Sequence, residues 1–204
     1  MSLALTFDLR PLTLGLYMNR RLVIALLAAA PLAGCGYNTI QSHDERANAA
    51  KQQIEVMLQR RYDLIPNLVE TVRGQAKQEL EVFTQVARAR AGLGTALQRG
   101  DPRELAAANE QVTTALRSLN IVVESYPQLK SDQAFLRLQD ELAGTENRIA
   151  TARTDYNQAV QQYNTYIRRF PAALTAKVIG AKQREYFEVT SSDAREAPKV
   201  DFSK

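Results

Sequence analysis

Four groups of side chains in this chain have types and spacings that could do chemistry. Cys35 is the only cysteine, and it follows Leu32-Ala33-Gly34 at the end of a short apolar stretch. A thiol there is open to covalent modification, while a lone one forms no disulfide within the chain and no Cys-based metal or redox site. His43 is the only histidine. General-base work would need an orienting partner and a pocket, which its sequence neighbours do not supply, so it reads as an exposed linker residue. Arg60, Arg61 and Asp63 set two guanidiniums and a carboxylate beside Pro66. That is either a small recognition surface or a salt-bridged helix end. Tyr156, Tyr163 and Tyr166 would serve as a ligand-stacking ladder or, at this spacing, as core residues whose hydroxyls reach the surface.

Other chemistries have no residues to carry them. No His/Cys set has metal-ligand spacing, and the Glu-x-x-His pattern of di-iron bundles is missing. Gly92-Leu93-Gly94 is too loose for a phosphate loop and reads as a frayed helix end. No catalytic residue, cofactor or metal site is expected, and the chain reads as a non-enzyme.

The context of Cys35 points to lipid. Asn19-Arg20-Arg21 supplies a basic n-region and Leu22 to Ala30 an apolar h-region, followed by small residues. With cysteine at the cleavage point, the segment resembles the lipobox of bacterial lipoproteins, whose sulfur takes a diacylglycerol. The alternative is an uncleaved transmembrane anchor in the inner membrane. Leu22 to Ala33 is 12 residues, roughly 18 Å of helix against a hydrocarbon core of about 30 Å. Residues 1–17 contain Asp8, Arg10 and Pro11 and read as an extension upstream of a start at Met18. The expected organisation is thus 1–17 extension, 18–34 signal segment, 35–43 tether, 44–190 folded domain and 191–204 flexible tail. Setting aside Arg10, Arg20, Arg21 and Asp8 takes the 26 basic and 22 acidic side chains to 23 and 21. So near a balance, with no basic stripe interleaved with stacking aromatics, leaves no nucleic-acid footprint.

The elements that would position these groups are helices. Apolar residues recur in steps of three and four, with few glycines and no alternating runs. A first helix is expected from about Asp44 to Tyr62, with Ala47, Ala50, Ile54, Met57 (or Leu58) and Arg61 in register. Pro66 lacks an amide proton, so Asp63 to Pro66 should be a turn or sharp kink, with a second helix from Pro66 to about Gln98. Its stripe includes Leu80, Phe83, Val86, Arg90 and Leu93. Asp101, Pro102 and Glu104 predict an N-cap, an N1 proline and a capping box, opening a third helix that runs to Glu124. Pro127 ends it, and Ser131 or Asp132 caps a fourth. Phe135, Leu138, Leu142, Thr145, Ile149, Ala152, Tyr156, Ala159, Tyr163, Tyr166 and Phe170 form a heptad seam to Pro171. A short helix from Ala172 to about Ile179 ends at Gly180. Short connections force antiparallel neighbours. The expected fold is all-α: an elongated antiparallel up-and-down bundle of three to four long helices plus a short C-terminal helix.

Several stretches together resemble the LemA family of bacterial envelope proteins. They are Gln59-Arg60-Arg61-Tyr62-Asp63-Leu64-Ile65-Pro66-Asn67-Leu68-Val69-Glu70-Thr71-Val72, then Tyr126-Pro127-Gln128-Leu129-Lys130-Ser131 and Phe135-Leu136. Thr145-Glu146-Asn147-Arg148-Ile149, Tyr156-Asn157, Tyr163-Asn164, Phe170-Pro171 and the terminal Pro198-Lys199-Val200-Asp201-Phe202 follow in order. The resemblance implies an antiparallel helical bundle held at a membrane by its N-terminus. It supplies no activity, ligand or catalytic residue. Many members look to carry an uncleaved N-terminal transmembrane helix, and the lipobox departs from that pattern.

Two functional classes follow. One is a non-enzymatic scaffold or adaptor of the cell envelope, anchored by lipid on Cys35, facing the periplasm, and meeting envelope proteins through its long helical faces. Gly36 after the cysteine is not the Asp of inner-membrane retention, which favours the outer membrane. The other is a ligand-binding or sensory module using an inter-helix groove lined by Tyr156, Tyr163 and Phe83.

Overall fold

A computed structural model describes residues 20–188, with side chains from Gly36 to Glu188. The upstream extension 1–17, the tail 191–204 and the Cys35 thiol lie outside the described residues, as do the side chains of the signal segment. All regular elements among the described residues are helices: α1 (Arg20–Gln75), α2 (Leu80–Arg99), α3 (Pro102–Glu124), α4 (Pro127–Lys130), α5 (Gln133–Tyr166) and α6 (Ala172–Val178). An extended strap, residues 181–188, follows α6.

The 56 residues of α1 make a rod of roughly 84 Å. Its most extensive contact is with α5, while α2 packs on α3 and on α1. Early α1 residues meet late α5 residues: Ile40 clusters with Tyr163 and Ile167, whereas Arg61 pairs with Glu146. The two helices therefore run antiparallel, and α2 and α3 add an antiparallel hairpin over the later half of α1. The all-α antiparallel bundle is as expected. Its main core includes Ile54, Leu58, Ile65, Leu68, Leu93, Leu105, Leu119, Phe135 and Tyr156, all within 2% of full burial. Each such Leu or Ile contributes about 1.5–3 kcal/mol. A second, smaller cluster of Ile40, Tyr163, Ile167 and Ala176 holds the end nearest the N-terminal segment.

Local signals that act within one turn are realised. Asp101 accepts from the amides of Arg103 and Glu104 with Pro102 at N1, and Asp132 accepts from Ala134 and Phe135. The reciprocal half of the capping box is not: the Glu104 carboxylate turns to Arg99 at 3.1 Å. The α5 seam buries Phe135, Leu142, Thr145, Ile149, Ala152, Tyr156 and Tyr163.

Three expectations are corrected. The chain does not turn at Pro66, because α1 runs through it to Gln75. Proline leaves the carbonyl four residues earlier without its amide donor, and that carbonyl, Tyr62, accepts from Arg90 Nε on α2 instead. The turn comes at 76–79, where no proline stands, and where folding back lets Phe83 and Val86 face Ile65 and Val69. The first and second expected helices are thereby redrawn. Leu80 and Phe170, placed on apolar stripes, are 61% and 84% exposed, since the hairpin turns Leu80 outward and α5 stops at Tyr166. Finally, residues 36–43, read as tether, are helical and continuous with α1, and Ile40 within them is buried.

Candidate functional site

Arg61 lies on the inward stripe of α1 and is only 4% exposed. Its Nη1 donates to Asn109 Oδ1 at 2.6 Å and its Nη2 to Thr113 Oγ1 at 3.1 Å, both on α3. From α5, Glu146 forms an ion pair with Nη1. Three helices thus converge on one guanidinium, while its Nε–H is buried with no partner among the described residues. Burial pulls the Arg61 pKa below its ordinary value; Glu146 and Glu110 push the other way. A guanidinium, the most basic of the side chains, stays charged regardless. A cleft of about 380 Å³ opens beside it, lined among others by Thr113, Arg117, Asn120, Gln139, Asp140 and Glu146.

At this centre Arg61 and Glu146 neutralise one another across α1 and α5, with Asn109 and Thr113 fixing the guanidinium plane. Among the described residues no three His, Cys, Asp or Glu side chains converge as metal ligands would.

The structure separates the three residues expected to act together. Arg60 is exposed and reaches Glu141 on α5 at 3.4 Å. Asp63 is exposed and accepts from Gln59 Nε2 at 3.0 Å, within α1. Arg61 points the opposite way, into the core, so the trio does not form one surface. Its partners Asn109, Thr113 and Glu146 were not singled out as a site in the sequence, although Arg61 sat on the apolar register of its helix.

The expected groove of Tyr156, Tyr163 and Phe83 is not formed. Tyr156 and Tyr163 lie one heptad apart on α5 but in different core clusters, and Tyr156 Oη donates to the Glu185 carbonyl of the strap at 2.8 Å. Burial pushes the Tyr156 hydroxyl up to about 12 and raises that of Tyr163. Phe83 lines a different cleft, of about 370 Å³, with Pro66 and Arg90. Phe187 of the strap, 3% exposed, belongs to the main core.

The strap is held by side-chain amides that imitate a β-ladder. Asn164 Nδ2 donates to the Arg184 carbonyl at 2.9 Å, and its Oδ1 accepts from the Arg184 amide at 2.8 Å. One heptad earlier, Asn157 exchanges the same pair of bonds with Phe187, at 3.2 and 2.9 Å. Arg184 then crosses to α1, donating from Nε to Asp44 at 2.7 Å and from Nη2 to Asn48 at 2.9 Å. The Asp44 hydrogen bond raises the Arg184 pKa. His43 is half-buried rather than a free linker residue, its ring 5.2 Å from that of Tyr166.

Comparison with known proteins gives this chain relatives over most of its length. Magnetosome proteins MamQ 1 and MamQ 2 of Paramagnetospirillum magneticum are each 33% identical to it over 175 residues, covering 74% of this chain and 64% of theirs. The chain therefore spans just under two thirds of the length of these relatives. Magnetosome protein MamQ of Magnetospirillum gryphiswaldense is 29% identical over 188 residues, covering 81% of this chain and 69% of its own. The LemA family matches residues 50–202, from the middle of α1 past the strap. That span takes in the Arg61 centre, the Arg90–Tyr62 contact and both asparagine pairs, and on it we conclude that this chain belongs to the LemA family.

Proposed function

We propose that this chain is a membrane-anchored, non-enzymatic scaffold or adaptor of the bacterial cell envelope, held by lipid on Cys35. The observation that carries this reading is the join between anchor and bundle. A basic and apolar segment ending in Leu-Ala-Gly-Cys forms the first turns of α1, the longest element of the fold. No helix among the described residues is long and apolar enough to cross a membrane, so a covalent lipid would supply the hold. One acyl chain binds marginally, whereas two or three bind stably. The relatives are named for a cellular structure rather than for a reaction, which fits an assembly role. Partners are then envelope proteins meeting the long helical faces, with the periplasmic side of the outer membrane as the location favoured by Gly36.

Intact mass and palmitate labelling of the expressed chain, beside Cys35→Ala, test the anchor. Label on the wild type and a mass for a chain beginning at Cys35 plus acyl groups are expected. An unlabelled chain that retains the residues before Cys35 would restore a transmembrane anchor. Capture from crosslinked envelopes tests the adaptor role: recovery of no protein beyond those found with another lipid-anchored control would refute it.

The cleft beside Arg61 favours a second reading, a sensory module for a small polar ligand, because an unpartnered buried Nε–H adjoins a space of about 380 Å³. A ligand selective for the folded state raises its melting temperature. A thermal-shift screen of envelope metabolites in which nothing shifts wild type more than Arg61→Lys would end that reading.

A further inference from the structure

The stretch from Arg168 to Lys182 has an unusual surface for the end of a soluble bundle. In α6, Ala172 and Ala176 face the protein and are buried. The opposite face shows Leu174 at 62% and Val178 at 87% exposure, and Phe170 and Ile179 continue the patch before and after the helix. Isolated exposed apolar residues are ordinary, but four large ones within ten positions mark an interaction surface. Arg168, Arg169, Lys177 and Lys182, all exposed, are interspersed with them in the sequence, and no acidic residue occurs in this stretch. None of the four cations joins an ion pair among the described residues.

The position of this patch identifies its occupant. Gly36, the residue after Cys35, rests directly on α6: a Cβ there would lie 3.1 Å from Thr175 Oγ1 and 3.9 Å from the Ala172 Cα. The chain therefore passes α6 at the point where it enters the apolar run of residues 22–33. An apolar face interspersed with exposed cations, beside the exit of an anchor, has the composition of an interfacial element.

We propose that the α6 patch lies on the bilayer itself, with Phe170, Leu174, Val178 and Ile179 at the acyl boundary and the four basic side chains on anionic headgroups. This rests on the membrane-anchored reading above and adds a second contact to it. Such a contact fixes the tilt of the bundle, so that its far end, where α1 gives way to α2, projects from the membrane. One basic group near an anionic surface strengthens binding about fivefold, and the effect is screened by salt.

The chain has no tryptophan, so a single introduced one reports its own surroundings. The full chain carrying Val178→Trp or Leu174→Trp is reconstituted in vesicles of phosphatidylethanolamine and phosphatidylglycerol, with Leu80→Trp at the far end as control. All three sites are exposed, so the fold tolerates the change. Flotation reports the anchor, and quenching by acyl-brominated versions of the same lipids reports the patch. The expected result is co-flotation, with quenching at 178 and 174 about twofold or more above that at 80, since interfacial elements sit at the headgroup–acyl boundary. It falls when phosphatidylglycerol is replaced by phosphatidylcholine or when salt is raised. Co-flotation with equal quenching at all three sites overturns the proposal and leaves the anchor standing. Shielding of the Val178→Trp indole from water without quenching by the brominated lipids overturns it in favour of a protein cover, such as a second copy. Failure to float removes the anchor and this inference together.

Discussion

Arg90 completes the helix of Tyr62. Its Nε donates to the Tyr62 carbonyl at 3.1 Å, and its guanidinium lies 3.9 Å over the centroid of the Tyr62 ring. Tyr62 stands four residues before Pro66, so its carbonyl is the acceptor that an ordinary amide at position 66 would have used. A side chain of α2 thus replaces a backbone donor of α1 and ties the two helices at that level.

The coupling is measurable. Arg90→Ala leaves a half-buried carbonyl without a donor and removes the cation–π contact, which together lower stability by about 2 kcal/mol. Pro66→Ala restores the amide. In that background the Arg90→Ala loss shrinks by about 1 kcal/mol, read from urea unfolding of the four chains of the cycle. Strictly additive losses would show that the two residues act independently.

At the Arg61 centre, truncation and neutral replacement separate. Arg61→Ala strands Asn109, Thr113 and Glu146, lowering stability by about 3 kcal/mol, at the low end for a buried pair because Glu146 is 41% exposed and can rehydrate. Arg61→Met with Glu146→Gln costs less than the single truncation. The urea midpoint should move with its slope unchanged. A loss under about 1 kcal/mol for Arg61→Ala would mean that water already supports this centre.

The strap responds locally to its asparagines. In Asn164→Ala the Arg184 amide loses its acceptor and exchanges with deuterium about tenfold faster or more, in keeping with about 1.4 kcal/mol for lost hydrogen bonds. The Phe187 amide, held by Asn157, changes less. Equal acceleration at both sites would show that the strap detaches as one unit.

Tyr156 makes stability fall at high pH. Its folded pKa of about 12 lies above the ordinary tyrosine value of 10.0, so between these values the unfolded chain releases the phenolic proton while the folded chain keeps it. The stabilisation is complete below pH 10 and is lost as pH rises towards 12, by up to about 2–3 kcal/mol. Tyr156→Phe loses the bond to Glu185, about 1 kcal/mol at neutral pH, and has a flatter profile above pH 10. Parallel profiles for the two chains would assign the alkaline loss to other groups.

The candidate site was partly legible. Arg61 and Arg90 each occupy an apolar register position on their helices, and a charged residue there must find partners in the core. Which partners could not be read, because Asn109 and Thr113 lie 48 and 52 residues beyond Arg61. The strap was missed for a related reason. Residues 181–188 carry neither helical nor strand periodicity, and their backbone is satisfied by Asn157 and Asn164 rather than by a neighbouring strand.

By itself the sequence determined what is decided within a few residues: the α-helical class, the cap at Asp101, a cap at Ser131 or Asp132, the α5 seam, and the short helix α6 after Pro171. These follow from steric limits, local hydrogen bonds and a repeating apolar step, all of which act over a turn or two. Only the tertiary structure decided that Pro66 lies inside a helix, that the turn falls at 76–79, that Arg61 is buried while Arg60 and Asp63 are not, and that the strap closes the groove. Each depends on a donor or surface brought from a distant part of the chain, as Arg90 is brought 28 residues to Tyr62. A proline ends a helix only while the carbonyl it strands has no other partner.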